Sequence, residues 1–256
     1  MTTIKPTSFT DVNESFKIES FNPAVVVKPF NMARRVLLKV GMAAGLSACL
    51  IGLPAYAASS FAQFFSAVEF NDAATVDKLL ARGFDPNTLN DKGNPGLYLA
   101  IRAESAAVVT RLLKDPNTDI NLINVIGETP LMMACLKGDL PAVQAMIKAG
   151  AQINKPGWTP LHYATANGQS EVVRYLLKHE ADPNALSPNN TTPLMMATLY
   201  GFRTTVQELI EGGADVGLVN SDGVTALYLA EQKEQDKIAE DLKKGLTKQA
   251  GRVKSH

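Results

Sequence analysis

The sequence predicts an all-α solenoid built from about six stacked helix pairs. Three observations lead there. First, alanines recur at Ala67, Ala100, Ala134, Ala164, Ala197 and Ala230, with steps of 33, 34, 30, 33 and 33 residues. A period of this size marks a stacked array. Second, helix signals recur in register with those alanines. Third, hydrophobic residues make up 46% of 256 residues while Lys+Arg and Asp+Glu both total 25. That composition supports a sizeable core and lacks the basic excess of a nucleic-acid binder.

Each unit reads as helix, turn, helix, loop. "GETPLMMACLKGDLPAVQAMIKAGAQIN" (127–154) aligns with "GWTPLHYATANGQSEVVRYLLKHEADPN" (157–184) and with "TTPLMMATLYGFRTTVQELIEGGADVG" (191–217). Thr-Pro opens the first helix, with Thr as N-cap and Pro in the first turn. Gly138, Gly168 and Gly201 end it. The second helix carries apolar residues at helical spacing, as in Val172, Val173, Leu176 and Leu177. A Gly-Ala-Asp-x-Asn turn then leads to an extended finger.

These residues resemble the ankyrin repeat, over 61–246. The resemblance implies antiparallel helix pairs with β-hairpin fingers along one side. The repeats fall near 61–90, 91–124, 125–154, 155–187, 188–220 and 221–246, with a flexible tail at 247–256. The first and last act as caps with polar outer faces. Departures are visible. Pro95-Gly96 stands where Thr-Pro is usual, so that helix is expected to start loosely. Glu180 occupies a slot that usually holds Gly in a left-handed turn. The finger at 154–158 is three residues short.

Upstream, Arg34, Arg35 and Lys39 precede an apolar run of about 14 residues, too short for the roughly 20 that span a bilayer. Pro54 breaks the run, and Ala55-Tyr56-Ala57 supplies small residues before Ala58. The pattern is a signal peptide over 32–57, cut between Ala57 and Ala58. "ARRVLLK" resembles a twin-arginine export motif, and "LSAC" resembles a lipobox that would place a lipid on Cys49. Residues 1–31 are an over-extended or disordered N-terminus, with Met32 as the alternative start. The exported chain would carry 19 basic against 22 acidic residues and a single thiol, Cys135. The expected location is the periplasm; the alternatives are a lipoprotein or a secreted protein.

His162 follows Thr159-Pro160-Leu161. The resemblance gives it a structural role, bonding backbone and the capping Thr. Met132, Met195 and Tyr228 fill the same slot elsewhere, so the slot does not demand imidazole chemistry. No paired carboxylates, phosphate loop, metal-ligand spacing or nucleophile–base arrangement is present. The expected protein is non-enzymatic, without cofactor or metal, and binds another protein through its concave face. The resemblance to periplasmic ankyrin proteins suggests support of a stress enzyme such as catalase. An immunity protein masking a toxin is one alternative; a host-directed effector is another. The concave slots hold Val125, Ile126, Trp158, Leu199 and Tyr200, flanked by Arg102 and Lys137, and contiguous apolar patches mark interfaces.

Overall fold

The computed structural model describes residues 53–253, with side chains described for 59–251. Cys49 and most of the signal segment lie outside these residues. The backbone of 53–58 belongs to the first helix. Residues Ala58–His256 form one compact unit.

Twelve helices follow in order among the described residues. They are α1 (Leu53–Glu69), α2 (Ala73–Ala81), α3 (Gly96–Arg102), α4 (Ala106–Leu113), α5 (Pro130–Lys137), α6 (Leu140–Lys148), α7 (Pro160–Ala166), α8 (Ser170–Lys178), α9 (Pro193–Leu199), α10 (Arg203–Glu211), α11 (Ala226–Gln232) and α12 (Asp236–Val253). Odd-numbered helices stack on one another as an inner row, and even-numbered helices form an outer row. All six landmark alanines are buried in the inner row. A methyl group there lets neighbouring helices approach closely.

The caps follow the sequence. Thr129, Thr159, Thr192 and Thr225 each accept a backbone N–H three residues on, at 3.2, 3.4, 3.2 and 3.0 Å. Pro95 makes no such bond. Gly96 is required for another reason: a Cβ there would lie 2.6 Å from the Phe64 ring. The expected left-handed turn at Glu180 is present, with φ 66°.

The joint between first and second helices is left-handed in every repeat. Asn71, Glu104, Gly138, Gly168, Gly201 and Glu234 all have φ between 54° and 76°. A side chain from the next repeat covers each Gly of this series. A Cβ on Gly168 would lie 2.6 Å from the Phe202 ring, and one on Gly138 would lie 2.3 Å from the Gln169 amide. By the same register, the residues aligned over the joints that are not Gly are smaller than Phe or Gln: Ser105 for Asn71 and Asp139 for Glu104.

Two expectations are corrected. The fingers are not β-hairpins: among the described residues only two isolated bridges form, Leu89 with Pro95 and Val219 with Thr225. The four full-length fingers are five-residue loops closed by a backbone bond across their base, such as Asn124 N–H to Glu128 C=O at 2.9 Å. The return bond uses a side chain. The Glu128 N–H donates to Asn124 Oδ1 at 2.9 Å, and Asn90, Ser187 and Asn220 do the same in their fingers. A side-chain acceptor thus replaces the second rung of a ladder, and no strand is needed. The tail is also not free from residue 247. Helix α12 continues to Val253, and Gln249 donates to Ala214 C=O at 2.7 Å while accepting from Val216 N–H at 3.3 Å.

Candidate partner-binding face

The candidate residues fall at three levels of the inner row. Val125 and Ile126 stand on a finger, 60% and 44% exposed. Asn124 orients both, because its Oδ1 also accepts the Ile126 N–H at 3.1 Å. Val125 lies over Gly93 of the preceding finger, where a Cβ would collide with its methyl. Its N–H donates to Gly93 C=O at 3.2 Å. The tip is therefore fixed by its neighbour. Ile123, Leu186 and Val219 are further exposed apolar residues at or beside the fingers. Sequence reasoning missed them, although all three precede a finger's Asn or Ser within one residue.

The second level is the short finger at 154–158. Lys155 Nζ donates to the carbonyls of Trp158 at 3.2 Å and Pro156 at 3.4 Å. The ammonium thus ties the short finger to itself, and burial pushes its pKa down. Trp158 is half-buried, with its ring edge-on to His162 at 5.3 Å between centroids. It is part of the wall as well as of the surface.

The third level is the C-terminal end of the inner helices, about 10 Å from the fingers by the rise of a seven-residue helix. Tyr200 is 44% exposed and leans on Phe202, 6.2 Å between ring centroids. Leu199 is half-buried. Arg102 and Lys137 are joined here: Lys137 Nζ donates to Arg102 C=O at 3.1 Å and pairs with Glu104 at 2.6 Å. One level along, Asn167 donates to Leu136 C=O at 3.0 Å. Lys137 is thus an inter-repeat brace rather than an unengaged cation.

His162 is fully buried. Its Nδ1 accepts from the Thr159 hydroxyl at 2.9 Å and the Thr159 N–H at 3.3 Å. Nε2 lies 3.0 Å from Thr191 C=O, which can only accept, so the proton sits on Nε2. The ring ties repeat four to the finger of repeat five. Burial pushes its pKa down to about 4, so the neutral form is the structural one. Met132 and Met195 reproduce only half of this arrangement, their sulfurs accepting from Thr129 N–H at 3.3 Å and Thr192 N–H at 3.5 Å. Cys135 is wholly buried, and burial raises its thiol pKa, so it stays protonated.

One cluster escaped the sequence altogether. The Glu128 carboxylate is buried and accepts from Tyr98 OH at 2.6 Å, Tyr163 OH at 2.9 Å and Asn124 Nδ2 at 2.9 Å. The Asn124 amide also reaches Asn94 Oδ1 at 3.2 Å. Burial first, then the carboxylate, hold both phenols well above their usual pKa. Donors from the second repeat (Tyr98, Asn124) and the fourth (Tyr163) meet on a carboxylate of the third. Together they lock the floor beneath the finger of Val125 and Ile126. The available signal was an acidic residue just before Thr-Pro, in the slot that carries Trp158 one repeat later.

Comparison with known proteins agrees with this architecture. The family model described as "Ankyrin repeats (3 copies)" matches residues 64–156, 97–187 and 180–250. The rat "Ankyrin repeat and SAM domain-containing protein 6" is 35% identical over 111 residues, covering 42% of this chain and 12% of the rat protein. The match thus spans a small part of that relative. An ankyrin repeat domain from Acinetobacter baumannii AYE superposes with TM-score 0.65 at 24% identity, covering 71% of this chain and 96% of the other. The human ASB11 ankyrin repeat domain superposes with TM-score 0.64 at 24% identity, covering 71% and 82%.

Proposed function

The chain belongs to the ankyrin-repeat family, and we propose that it is an exported, non-enzymatic scaffold that binds a protein partner on its concave face. Ankyrin repeats mediate protein–protein interaction. The observation that carries the reading here is the exposed apolar set of Val125, Ile126 and Tyr200, held on a braced array. Apolar side chains fixed before binding lose little entropy on association. Aromatic residues such as Tyr200 are enriched among binding hot spots. The basic, apolar and small-residue pattern of 32–57 supports export to the periplasm after cleavage at Ala57–Ala58. The resemblance to periplasmic ankyrin proteins supports a stress enzyme such as catalase as the partner.

The test uses the exported unit, 58–256, as bait in periplasmic extract, beside a Val125→Asp/Ile126→Asp variant. The expected result is a stoichiometric partner that the variant fails to retain. Equal retention by both would move the site off the fingers. A partner recovered only from cytoplasmic extract would refute export.

A further inference from the structure

The charges of the chain are unevenly placed. Of 25 Lys+Arg, six lie in 1–57 and five in 243–256, leaving 14 in 58–242; of 25 Asp+Glu, three lie in 1–57 and none in 243–256, leaving 22. The body of the array is therefore at −8, and its last 14 residues carry five cations and no acidic side chain. Four of these five cations lie within helix α12. Lys244, Lys248 and Arg252 follow at i, i+4 and i+8, which sets them along one ridge about 12 Å long.

Local physics accounts for only part of the ridge. Glu240 precedes Lys244 by four residues, and Lys244 adds to the Arg203 hydrogen bond in lowering the Asp241 pKa. Lys248 and Arg252 have no acid three or four residues before them. Like charges at i, i+4 weaken a helix. The helix dipole favours cations only in the last turn, which includes Arg252 and excludes Lys244. Lys243 pairs with Glu231 at 3.0 Å. Lys244 and Lys248 are exposed and make no ion pair among the described residues. Asp241, the acid nearest along the helix, is engaged by Arg203 at 2.7 Å and Gln207 at 2.9 Å. The ridge is also held in place. Gln249, on the same two turns, is bonded to the loop at Ala214 and Val216.

We propose that this ridge adsorbs the array, end-on, to an anionic phospholipid surface. Clustered lysines beside such a surface each contribute to binding, and the effect falls off within a Debye length. The acidic body decides the geometry. A polyanion lying along the array would be repelled by it, whereas a plane met by the last helix touches only the basic end. The same charge separation turns the array away from the surface and leaves the finger row open. Nucleic acid is the poorer fit, because the last two turns offer no aromatic residue for base stacking.

The experiment is cosedimentation of the compact unit 58–256 with vesicles of phosphatidylcholine, alone or with about one third phosphatidylglycerol, at low salt. The expected result is partition onto the anionic vesicles only, reversed by salt. Lys244→Gln/Lys248→Gln/Arg252→Gln should weaken partition on the order of 100-fold, while Tyr200→Ala leaves it unchanged. A circular-dichroism melt checks that the triple variant folds; should it not, Lys248→Gln alone is read for a loss of about fivefold. Three results would each overturn the proposal. They are equal partition onto neutral vesicles, wild-type partition by the folded Gln variants, and capture by polyglutamate without vesicle binding.

Discussion

Replacing His162 by Met gives a direct reading of what the buried ring contributes. Met fills the same slot at 132 and 195, and its sulfur accepts the capping N–H there. The variant therefore keeps the acceptor and loses the Nε2–H bond to Thr191 C=O. Near pH 7.5 that loss should cost about 1 kcal/mol. Protonation changes the balance as pH falls. The folded ring has its pKa depressed from 6.5 to about 4. Between those values the unfolded chain binds a proton that the folded chain refuses, so stability falls as pH falls. The shift corresponds to about 3 kcal/mol, complete near pH 4. The Met variant has no such penalty. The two stability curves should cross close to pH 6, and at pH 4 the variant should be the more stable by about 2 kcal/mol. Urea unfolding of 58–256 and the variant at several pH values between about 4 and 7.5 measures this difference directly. Other titrating groups cancel in the subtraction. Parallel curves would refute the argument, because they would mean that the ring carries its proton in the fold.

Tyr200→Ala should weaken partner binding by about 2 kcal/mol, read by calorimetry, with little change in melting temperature. Trp158→Ala should lower stability as well as binding, because the ring packs on His162; an unchanged melt would contradict that contact. Glu128→Gln should cost about 1–3 kcal/mol in urea unfolding, since an amide nitrogen must then face a phenol donor. Gly168→Ala should destabilise by roughly 1–3 kcal/mol through its left-handed φ and the Phe202 ring. Adding Phe202→Ala should recover the steric part, giving a coupled double-mutant cycle. Intact mass of the exported protein should show a chain beginning at Ala58; a diacylglycerol adduct on Cys49 would establish the lipoprotein instead.

The legible part of this protein is the part written at short range and repeated. The alanine period, the Thr caps and the strained turn at Glu180 each depend on a few neighbouring residues, and six copies reinforce one another. What was not legible depends on contacts between copies. The Glu128 cluster needs Tyr98 and Tyr163, 30 and 35 residues away, and only stacking brings their hydroxyls to one carboxylate. The finger strands were wrongly expected because an extended, turn-rich stretch suggests a ladder, while Asn side chains had already taken half of the bonds. The end of α12 was hidden by Gly245 and Gly251, which weaken the helical pattern. Gly245 is needed where Val216 and Ile210 crowd in; a Cβ there would lie 3.1 Å from the Val216 methyl. Val125, Ile126 and Tyr200 are exposed, as their slots implied, whereas the brace from Lys137 to Arg102 and Glu104 was not legible because it crosses a repeat boundary.

The left-handed joints make the order of the modules matter. Phe202 lies so close to its neighbour's joint that the residue beneath it must lack a side chain. Excising 139–168 would leave Gly138 beneath Phe202, and the shortened array could close. Excising 105–168 would leave Glu104 there, with a Cβ driven into the aromatic ring. Unequal crossing-over between such similar modules is thus filtered by a single contact. Lineages could lose or duplicate units whose joint is Gly next to the fifth module, whereas units ending in Glu or Asn would be confined to the ends, where small residues follow them or the array stops.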